Sequence, residues 1–251
     1  MTPSTAADRP TKNPLTQQVA EHLRTLIFER GMVEGDKLPS QAQLAETLGV
    51  SRLVVREATR VLEAEGLIHA EQGRNLTVRR PDAAQLGQLF ALIVRANGSA
   101  LPELLDVRRA LELESASLAA QHATTANIEQ MRAAIERIKK VARSPSTVDA
   151  QADADGSFHE ALAIATGNRF MVMMTEALAA PLHELRVHSL KGSWLRLGSL
   201  EHVISGHEQI LECIAQRDPE GAVQAMATHL TDTSTDLQVD AGGLRAVIAS
   251  S

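Results

Sequence analysis

Residues 38–68 read LPSQAQLAETLGVSRLVVREATRVLEAEGLI, and this stretch predicts two short helices that meet at a tight turn. The first helix is expected at about 41–48, and Gly49 supplies the positive φ that a tight turn between helices requires. Ser51 then stands where an N-cap is needed, and apolar residues at helical spacing pack the second helix on the first. These apolar residues are Val54, Val55, Ala58, Val61 and Leu62. The layout is that of a helix-turn-helix, whose second helix enters the major groove of DNA.

The other face of the second helix carries three arginines one turn apart, at Arg52, Arg56 and Arg60. A guanidinium group can bond guanine O6 and N7 in a bidentate manner, and the first residues of a recognition helix are those that enter the groove. The same spacing also occurs on an ordinary solvated helix face, so these arginines do not by themselves establish DNA binding. In a DNA-binding motif, we expect Arg52 and Arg56 to make the contacts.

The segment after the second helix predicts a small β wing. Gly66 ends the helix, and Leu67–Glu71 and Leu76–Arg79 are strand-like runs on either side of the turn residues 72–75. Arg74 lies at the tip of this hairpin, where it can reach the DNA backbone or the minor groove. The wing makes the solvated-face interpretation less favourable and predicts a winged helix-turn-helix.

These residues resemble the GntR family of bacterial transcription regulators. The signature of that family is LPSE-x-x-LA followed by GVSR-x-x-VREAL-x-x-L-x-x-EGL, and this sequence has LPSQAQLA and GVSRLVVREATRVLEAEGL. The resemblance implies binding to double-stranded operator DNA. The candidate DNA-binding residues are Ser40, Ser51, Arg52, Leu53 and Arg56, together with Gly73 and Arg74 of the wing. Ala42 and Leu53 replace an arginine and a small polar residue that are common in the signature, so a different operator sequence is expected.

Composition sets the class of protein. The chain has 251 residues, of which 44% are hydrophobic, and this is enough for two modest domains. No apolar run approaches the ~20 residues of a membrane span, and the first residues lack the apolar segment of a secretory signal. A single cysteine, Cys213, cannot form an internal disulfide. We therefore expect a soluble cytoplasmic protein without a membrane partner.

Charge is distributed unevenly along the chain, whose net charge is −6. Residues 1–80 carry eleven Lys or Arg against ten Asp or Glu, whereas residues 81–251 carry fourteen against twenty-one. A nearly neutral DNA-binding domain implies few phosphate contacts per subunit, so affinity must come from two copies that bind together. We expect a homodimer on a two-fold operator.

The sequence predicts a mainly α protein with two folded domains. Residues 1–12 are expected to be disordered, residues 13–80 to form the winged helix-turn-helix, and residues 81–238 to form an all-helical domain for effector binding and dimerisation, with a flexible tail at 239–251. Helices are predicted near 82–96, 101–122, 125–142, 147–166, 168–190, 199–216 and 219–236. The region from Gly192 to Gly198 is interpreted as a helix break.

Four polar residues fall on apolar faces of these predicted helices. Asp155 and His159 are spaced i, i+4 and share a face with Phe158. His207 lies on the stripe of Ile210, Leu211 and Ile214, and His229 lies on the stripe of Ala222, Ala225 and Met226. A single histidine on such a face is more often a hydrogen-bonded core residue than a ligand. Three imidazoles and one carboxylate together, however, suit a divalent ion, with zinc preferred and nickel or manganese as alternatives.

The second domain resembles the FCD effector domain of the FadR-type branch of the same family. The pattern of that domain is Asp-x3-His followed by Gly-Asn, then a histidine that opens one helix and a histidine that ends the last. This chain has DGSFHEALAIATGN, GHEQILECIAQRDPEGA and AMATHL. The resemblance therefore maps the metal ligands onto Asp155, His159, His207 and His229, and it implies that the domain senses a small organic acid.

One arginine in this domain is expected to face inward. Arg108 falls on the apolar face of its helix, whereas Arg109 points away. Arg108 either pairs with Glu112 at i+4 or clamps the carboxylate of an effector, and the family resemblance favours the clamp. Asn168 is expected to line the same pocket. The remaining histidines of the domain, His183, His188 and His202, show no clear pattern and are expected to be surface or filler positions.

The resulting prediction is a dimeric, ligand-responsive transcription regulator, which in this family is most often a repressor, and not an enzyme. One alternative is a metal-dependent hydrolase fused to a DNA-binding module. Its weakness is that Glu160 and Glu208, which directly follow metal-site histidines, point about 100° away on a helix. The other alternative is a regulator that the metal stabilises and that has no small-molecule effector.

Overall fold

The computed structural model describes residues 14–70, 76–79, 83–96, 100–143 and 147–240. The described part of the chain contains ten helices and three short strands and divides into two compact units, one up to Asp82 and one from Ala83. The fold class is therefore mainly α with a small β wing, as predicted. None of the described helices has the length and apolar character needed to cross a membrane. The predicted disorder of residues 1–12 and most of the predicted tail lie outside the described residues.

The first unit contains the predicted helix-turn-helix and wing. Its elements are α1 (Leu15–Glu29), β1 (Lys37–Leu38), α2 (Gln41–Leu48), α3 (Arg52–Ala64), β2 (Ile68–Ala70) and β3 (Leu76–Val78). The strands form one antiparallel sheet in the order β1-β3-β2. Neither α1 nor β1 was predicted from the sequence. α1 has no side-chain cap at Pro14, although its buried residues Val19, Leu23 and Ile27 do follow helical spacing, and β1 has only two residues.

Local signals fix the angle between α2 and α3. Ser40 and Gln43 form a reciprocal capping box at the start of α2, and Gly49 ends that helix in the left-handed conformation with φ 64°. Gln41 Nε2 then donates a hydrogen bond to Thr59 Oγ1 across the two helices at 3.1 Å. The core beneath them is apolar, and its most buried members are Leu23, Val55, Ala58 and Leu62. This packing presents the opposite face of α3 to solvent.

The second unit is all-helical in the residues that the structure describes. Its elements are α4 (Ala84–Ala96), α5 (Ala100–His122), α6 (Thr125–Arg143), α7 (Val148–Ala165), α8 (Arg169–Leu197), α9 (Glu201–Ala215) and α10 (Pro219–Val239). Seven helices were predicted in these positions. Their core centres on large side chains that are almost fully buried, namely Met131, Phe158, Leu162, Ile210, Ile214 and Met226. This core lies directly beside the inward-facing histidines of α7, α9 and α10.

The predicted break at Gly192–Gly198 is wrong, because α8 continues through Gly192 and ends only at Leu197, with Gly198 in the left-handed conformation. A Cβ atom at position 192 would lie 1.9 Å from the backbone oxygen of Asp236 in α10. Gly192 therefore permits a close approach of two helices rather than a break, a role that single-sequence periodicity does not distinguish.

Candidate metal centre and DNA-binding surface

The four predicted metal ligands converge inside the second unit. α7 contributes Asp155 and His159 from consecutive turns, α9 contributes His207, and α10 contributes His229. One donor atom from each residue can be chosen so that all four lie within 4.8 Å of one another. His207 Nε2 lies 3.4 Å from Asp155 Oδ1, and all four side chains are buried. The helices thus bring three imidazoles and a carboxylate to one point.

Packing around the cluster holds the rings in place. The Phe158 ring contacts the His207 ring at a centroid distance of 4.4 Å, and the centroids of His207 and His229 are also 4.4 Å apart. Gly206 allows α9 to approach α10, since a Cβ at that position would lie 3.0 Å from His229 Nδ1. On α7, Asp155 and His159 share the buried face with Phe158, so all three side chains point inward.

Burial sets the protonation states of the histidines. Desolvation lowers the pKa of His207 to about 4 and also lowers the pKa of His229, so both imidazoles are neutral at pH 7 and keep a lone pair for a metal. Burial also opposes the charged form of His159, but the carboxylates of Glu112 and Asp155 outweigh it and raise the pKa of that residue. Burial opposes the charged form of Asp155, but His159, followed by His207 and Arg186, holds the pKa of this carboxyl well below its usual range.

The donor set fits a divalent metal ion. Both ring nitrogens of His159 and both ring nitrogens of His207 are buried without a hydrogen-bond partner among the described residues. Leaving a buried polar group unpaired costs about 1–3 kcal/mol, so a cluster of such groups calls for a further ligand. Three imidazole nitrogens and one carboxylate oxygen match the coordination chemistry of zinc. The buried cluster could therefore hold a metal ion.

Arg108 lies beside this cluster and takes part in a buried charge chain. Its Nε donates a hydrogen bond to Glu112 Oε1 at 2.9 Å, so the predicted helical pair exists. Glu112 Oε2 in turn lies 2.9 Å from His159 Nδ1, although the angle is not that of a hydrogen bond. Arg108 Nη1 has no hydrogen-bond partner among the described residues, and Arg109 is exposed as predicted. The pair with Glu112 therefore leaves part of the guanidinium group unused.

A second buried arginine, Arg186 of α8, reaches the same place and was not predicted. Its Nε lies 3.3 Å from Asp155 Oδ2 without hydrogen-bond geometry. Arg108, Asp155 and Arg186 line a common cavity of about 10 Å³, which is the space of roughly one water molecule. Burial, followed by the nearby positive charge of Arg108, lowers the pKa of Arg186.

The sequence carries a signal for one of the two groups, Arg186, but not for the second contact of Glu112. Arg186 follows Leu178 and Leu182 at helical spacing on the buried face of α8, which is the same pattern that identified Arg108. The i, i+4 spacing identifies Glu112 only as the partner of Arg108. Its second contact, with His159, depends on the packing of α5 against α7 and leaves no trace in the spacing along the chain.

Two predictions within the second unit need correction. Asn168 is exposed, and its Oδ1 accepts a hydrogen bond from the backbone N–H of Phe170 as the N-cap of α8, so the structure does not bring this side chain into the buried cluster. This capping role explains why a short polar residue, Asn168, stands directly before α8. His188 is not a surface position, because only 2% of it is exposed and its Nδ1 lies 2.7 Å from Asp240 Oδ2.

The candidate DNA-binding residues of the first unit surround the start of α3. Ser51 caps this helix by accepting a hydrogen bond from the backbone N–H of Val54, and Ser40 caps α2. Arg52, Leu53 and Arg56 follow on the exposed face of α3. Gly73 and Arg74 of the wing lie outside the described residues.

The arginines of α3 differ in their partners. Arg60 Nη1 donates a hydrogen bond to Glu57 Oε1 at 2.8 Å, whereas Arg56 Nε lies 3.8 Å from the same oxygen. Within the described part of the chain, Arg52 has no salt bridge. The guanidinium groups in the first turns of α3 are therefore exposed to solvent and form no close ion pair within the described residues.

The two glutamates that a metal-dependent hydrolase would need lie away from the cluster. Glu160 and Glu208 are both exposed, and Glu208 pairs with Lys139 of α6 at 2.8 Å. Neither carboxylate is positioned to act on a molecule at the buried cluster.

Comparisons with known proteins agree with both units. Residues 15–78 match the family described as "Bacterial regulatory proteins, gntR family", and residues 103–232 match the FCD domain. The Glc operon transcriptional activator of Escherichia coli is 32% identical over 237 residues, which cover 90% of this chain and 90% of that protein. The HTH-type transcriptional regulator LutR of Bacillus subtilis is 32% identical over 200 residues, which cover 79% and 90%.

A solved structure supports the fold. The structure described as "Streptococcus agalactiae GntR" has a TM-score of 0.71 at 24% identity and covers 86% of this chain and 97% of that chain. The matched families and the relatives are transcription regulators rather than enzymes. The chain therefore belongs to the GntR family of bacterial transcription regulators and carries a C-terminal FCD domain.

Proposed function

We propose that the chain is a homodimeric repressor that binds a two-fold operator and is released from it by a small organic acid. The acid binds beside a divalent metal in the FCD domain. The observation that carries the proposal is the buried cluster of three histidines and one aspartate, with an incompletely paired arginine next to it. A buried set of this kind costs stability unless a metal and a ligand complete it.

In the DNA-binding unit, we assign the operator contacts to the start of α3 and to the wing. Arg52 and Arg56 read bases or bind phosphates, and Ser51 and Leu53 lie beside them at the groove. Ser40 contacts the backbone from the start of α2, where the helix N-terminus favours a phosphate. Gly73 and Arg74 are assigned to the minor groove or the adjacent backbone. The exposure of the α3 residues supports this assignment.

In the FCD domain, Asp155, His159, His207 and His229 would hold the metal. Zinc fits the donor set, and nickel or manganese would also accept it. The metal supplies a concentrated positive charge that attracts a carboxylate. Arg108 orients the acid through its unpaired Nη1 while its Nε stays bound to Glu112.

The small size of the cavity means that the proposed acid binding requires a conformational change, which could couple acid binding to DNA binding. A space of about 10 Å³ cannot accept an organic acid, so the lining side chains of α5, α7 and α8 must move when the acid binds. We infer that this movement changes how the dimer holds its two recognition helices. A coupling of about 1–3 kcal/mol changes operator affinity by roughly 5- to 150-fold.

The dimer is supported by the charge of the DNA-binding unit. Residues 1–80 have nearly equal numbers of basic and acidic side chains, so one unit gains little from the charge of DNA. Two linked units that bind neighbouring half-sites raise the affinity by the effective concentration of the second unit.

Fluorescence anisotropy with a DNA fragment from the promoter of the neighbouring genes tests the proposal. Zinc-loaded protein is titrated with a series of small carboxylates, and the variant Arg108→Gln is compared with Arg109→Gln, which removes the same charge from the exposed face of α5. We expect one or more acids to weaken DNA binding by the wild type and by the Arg109 variant but not by the Arg108 variant. An equal response of both variants would exclude the clamp.

A chelator-treated sample separates the alternatives. Loss of the acid response with retained basal DNA binding supports a metal-dependent effector site. If no acid acts on the zinc-loaded protein, the metal only stabilises the fold and the effector proposal is wrong.

A further inference from the structure

Arg186 gives the proposed effector site a second cationic side chain, and we propose that Arg108 and Arg186 together select a small dicarboxylic acid. The inference rests on the proposed function, because it concerns the same cavity. It adds the class of ligand and a residue that determines specificity.

The geometry places the two guanidinium groups on one cavity from two different helices. Arg108 enters from α5 and Arg186 enters from α8, and both side chains are more than nine-tenths buried. Each keeps a nitrogen without a hydrogen-bond partner, Nη1 in Arg108 and Nε in Arg186. A planar guanidinium group binds a carboxylate through two parallel hydrogen bonds, so two such groups provide two carboxylate sites.

The balance of buried charge points in the same direction. The carboxylates of Glu112 and Asp155 offset the two arginines, since Arg108 pairs with Glu112 and Arg186 lies beside Asp155. With a divalent metal on the cluster, the charges of the metal, the two arginines and the two carboxylates would sum to +2, and Asp155 would be shared between Arg186 and the metal. An acid with one carboxylate removes half of this excess, whereas a dianion removes all of it.

The rest of the lining combines polar and apolar side chains. Ser189 and Thr233 also line the cavity, and Leu190 and Val203 close it with apolar surface. Ser189 Oγ donates to the backbone oxygen of Thr233, so α8 and α10 are linked at this point. A short acid with a hydroxyl group between or next to its carboxylates matches this mixture of polar and apolar contacts.

Two hydroxy acids that differ by one carboxylate test the proposal. L-lactate and L-malate share the 2-hydroxy acid group, and L-malate carries a second carboxylate on the neighbouring carbon. Isothermal titration calorimetry of each acid with the zinc-loaded full-length protein gives the two Kd values. We expect L-malate to bind the wild type about tenfold or more tightly than L-lactate.

The variant Arg186→Gln should remove this preference. We expect the Kd of L-malate to rise about tenfold to a hundredfold, and the Kd of L-lactate to change by less than about threefold. Lys191→Gln, which removes one charge from an exposed position of the same helix, should leave both Kd values unchanged. Arg186→Lys keeps the charge without the fork and controls for misfolding, and it should lose part of the preference.

Metal content separates a specificity role from a structural one. If Arg186 only positions Asp155, the Gln variant will lose zinc and will bind both acids more weakly to the same degree, which overturns the inference. Equal binding of L-lactate and L-malate to the wild type overturns it as well, but leaves the proposed function intact. If neither these two acids nor any other carboxylate of the series binds, the proposed function itself is wrong.

Discussion

Glu112 determines how the charged groups of the buried cluster depend on one another. Its carboxylate contacts the Arg108 guanidinium on one side and the His159 imidazole on the other. The raised pKa of His159 favours the protonated form of this ring. A divalent metal bound to the ring would displace the proton, so metal uptake and release of the proton would be linked. Replacement of a single side chain in this chain of contacts therefore alters both metal affinity and the state of Arg108.

The variant His207→Ala should abolish metal binding. His207 is fully buried, and its low pKa keeps it neutral and available as a ligand at pH 7. We expect metal analysis by mass spectrometry to show about one zinc ion per wild-type chain and only a small fraction in the variant. Stabilisation of about 2.7 kcal/mol, which a metal at ~100 times its Kd provides, should be lost with it.

Two controls make this result specific. His122→Ala changes an exposed histidine at the end of α5 and should keep the metal. Circular dichroism and anisotropy should show that the His207 variant is folded and still binds the operator without acid. Stoichiometric zinc in the His207 variant would contradict the assignment of this ligand.

The variant Arg56→Ala tests the recognition surface. Arg56 is exposed on α3 and has only a distant contact with Glu57, so its removal should not disturb the fold. We expect operator affinity to fall by about 1–3 kcal/mol, measured by anisotropy, while the dimer stays intact in light-scattering measurements. Arg132→Ala, which removes an exposed arginine from α6, serves as the control and should bind normally. Unchanged operator affinity of the Arg56 variant would remove this residue from the recognition surface.

At the scale of helices and strands, the sequence was informative wherever the neighbouring residues leave a position only one structural role. Gly49 and Ser51 mark the turn and the N-cap of the helix-turn-helix, and both have these roles in the structure. The inward histidines are predictable because a polar residue on an apolar face requires a partner. Gly192 was misinterpreted because a glycine has several meanings, and only the position of α10 shows which one applies.

The variant Gly192→Ala tests the close approach of α8 and α10. In an exposed helix interior, alanine is more favourable than glycine by about 1 kcal/mol. At this position the added methyl group would collide with the Asp236 backbone, which cannot move away as the end of a flexible side chain could. We therefore expect destabilisation by about 1–3 kcal/mol or more in urea unfolding. Lys191→Ala, at the exposed neighbouring position, should change stability by less than about 0.5 kcal/mol. Stabilisation of the Gly192 variant would show that the two helices are further apart.

At the scale of the whole molecule, the distribution of charge separates two kinds of binding. The excess of acidic residues lies in residues 81–251, the part of the chain that also contains the buried arginines of the proposed effector cavity. The DNA-binding unit is almost neutral, and some of its arginines are already paired, as Arg24 is with Glu65 and Arg60 with Glu57. Operator affinity should therefore depend less on phosphate neutralisation than it does in strongly basic DNA-binding proteins.

The salt dependence of operator binding measures this balance. Each phosphate that the protein neutralises contributes about −0.9 to the slope of log K against log salt concentration. With about three phosphate contacts per subunit of a dimer, we expect a slope of about −5 in anisotropy titrations at several potassium chloride concentrations. The same titration on a fragment without the operator should give a similar slope at much lower affinity, because nonspecific binding uses the same phosphates. A slope near −10 would mean that basic side chains beyond those of α2 and α3 contact the backbone, and affinity would then come mainly from charge rather than from the pairing of two recognition helices.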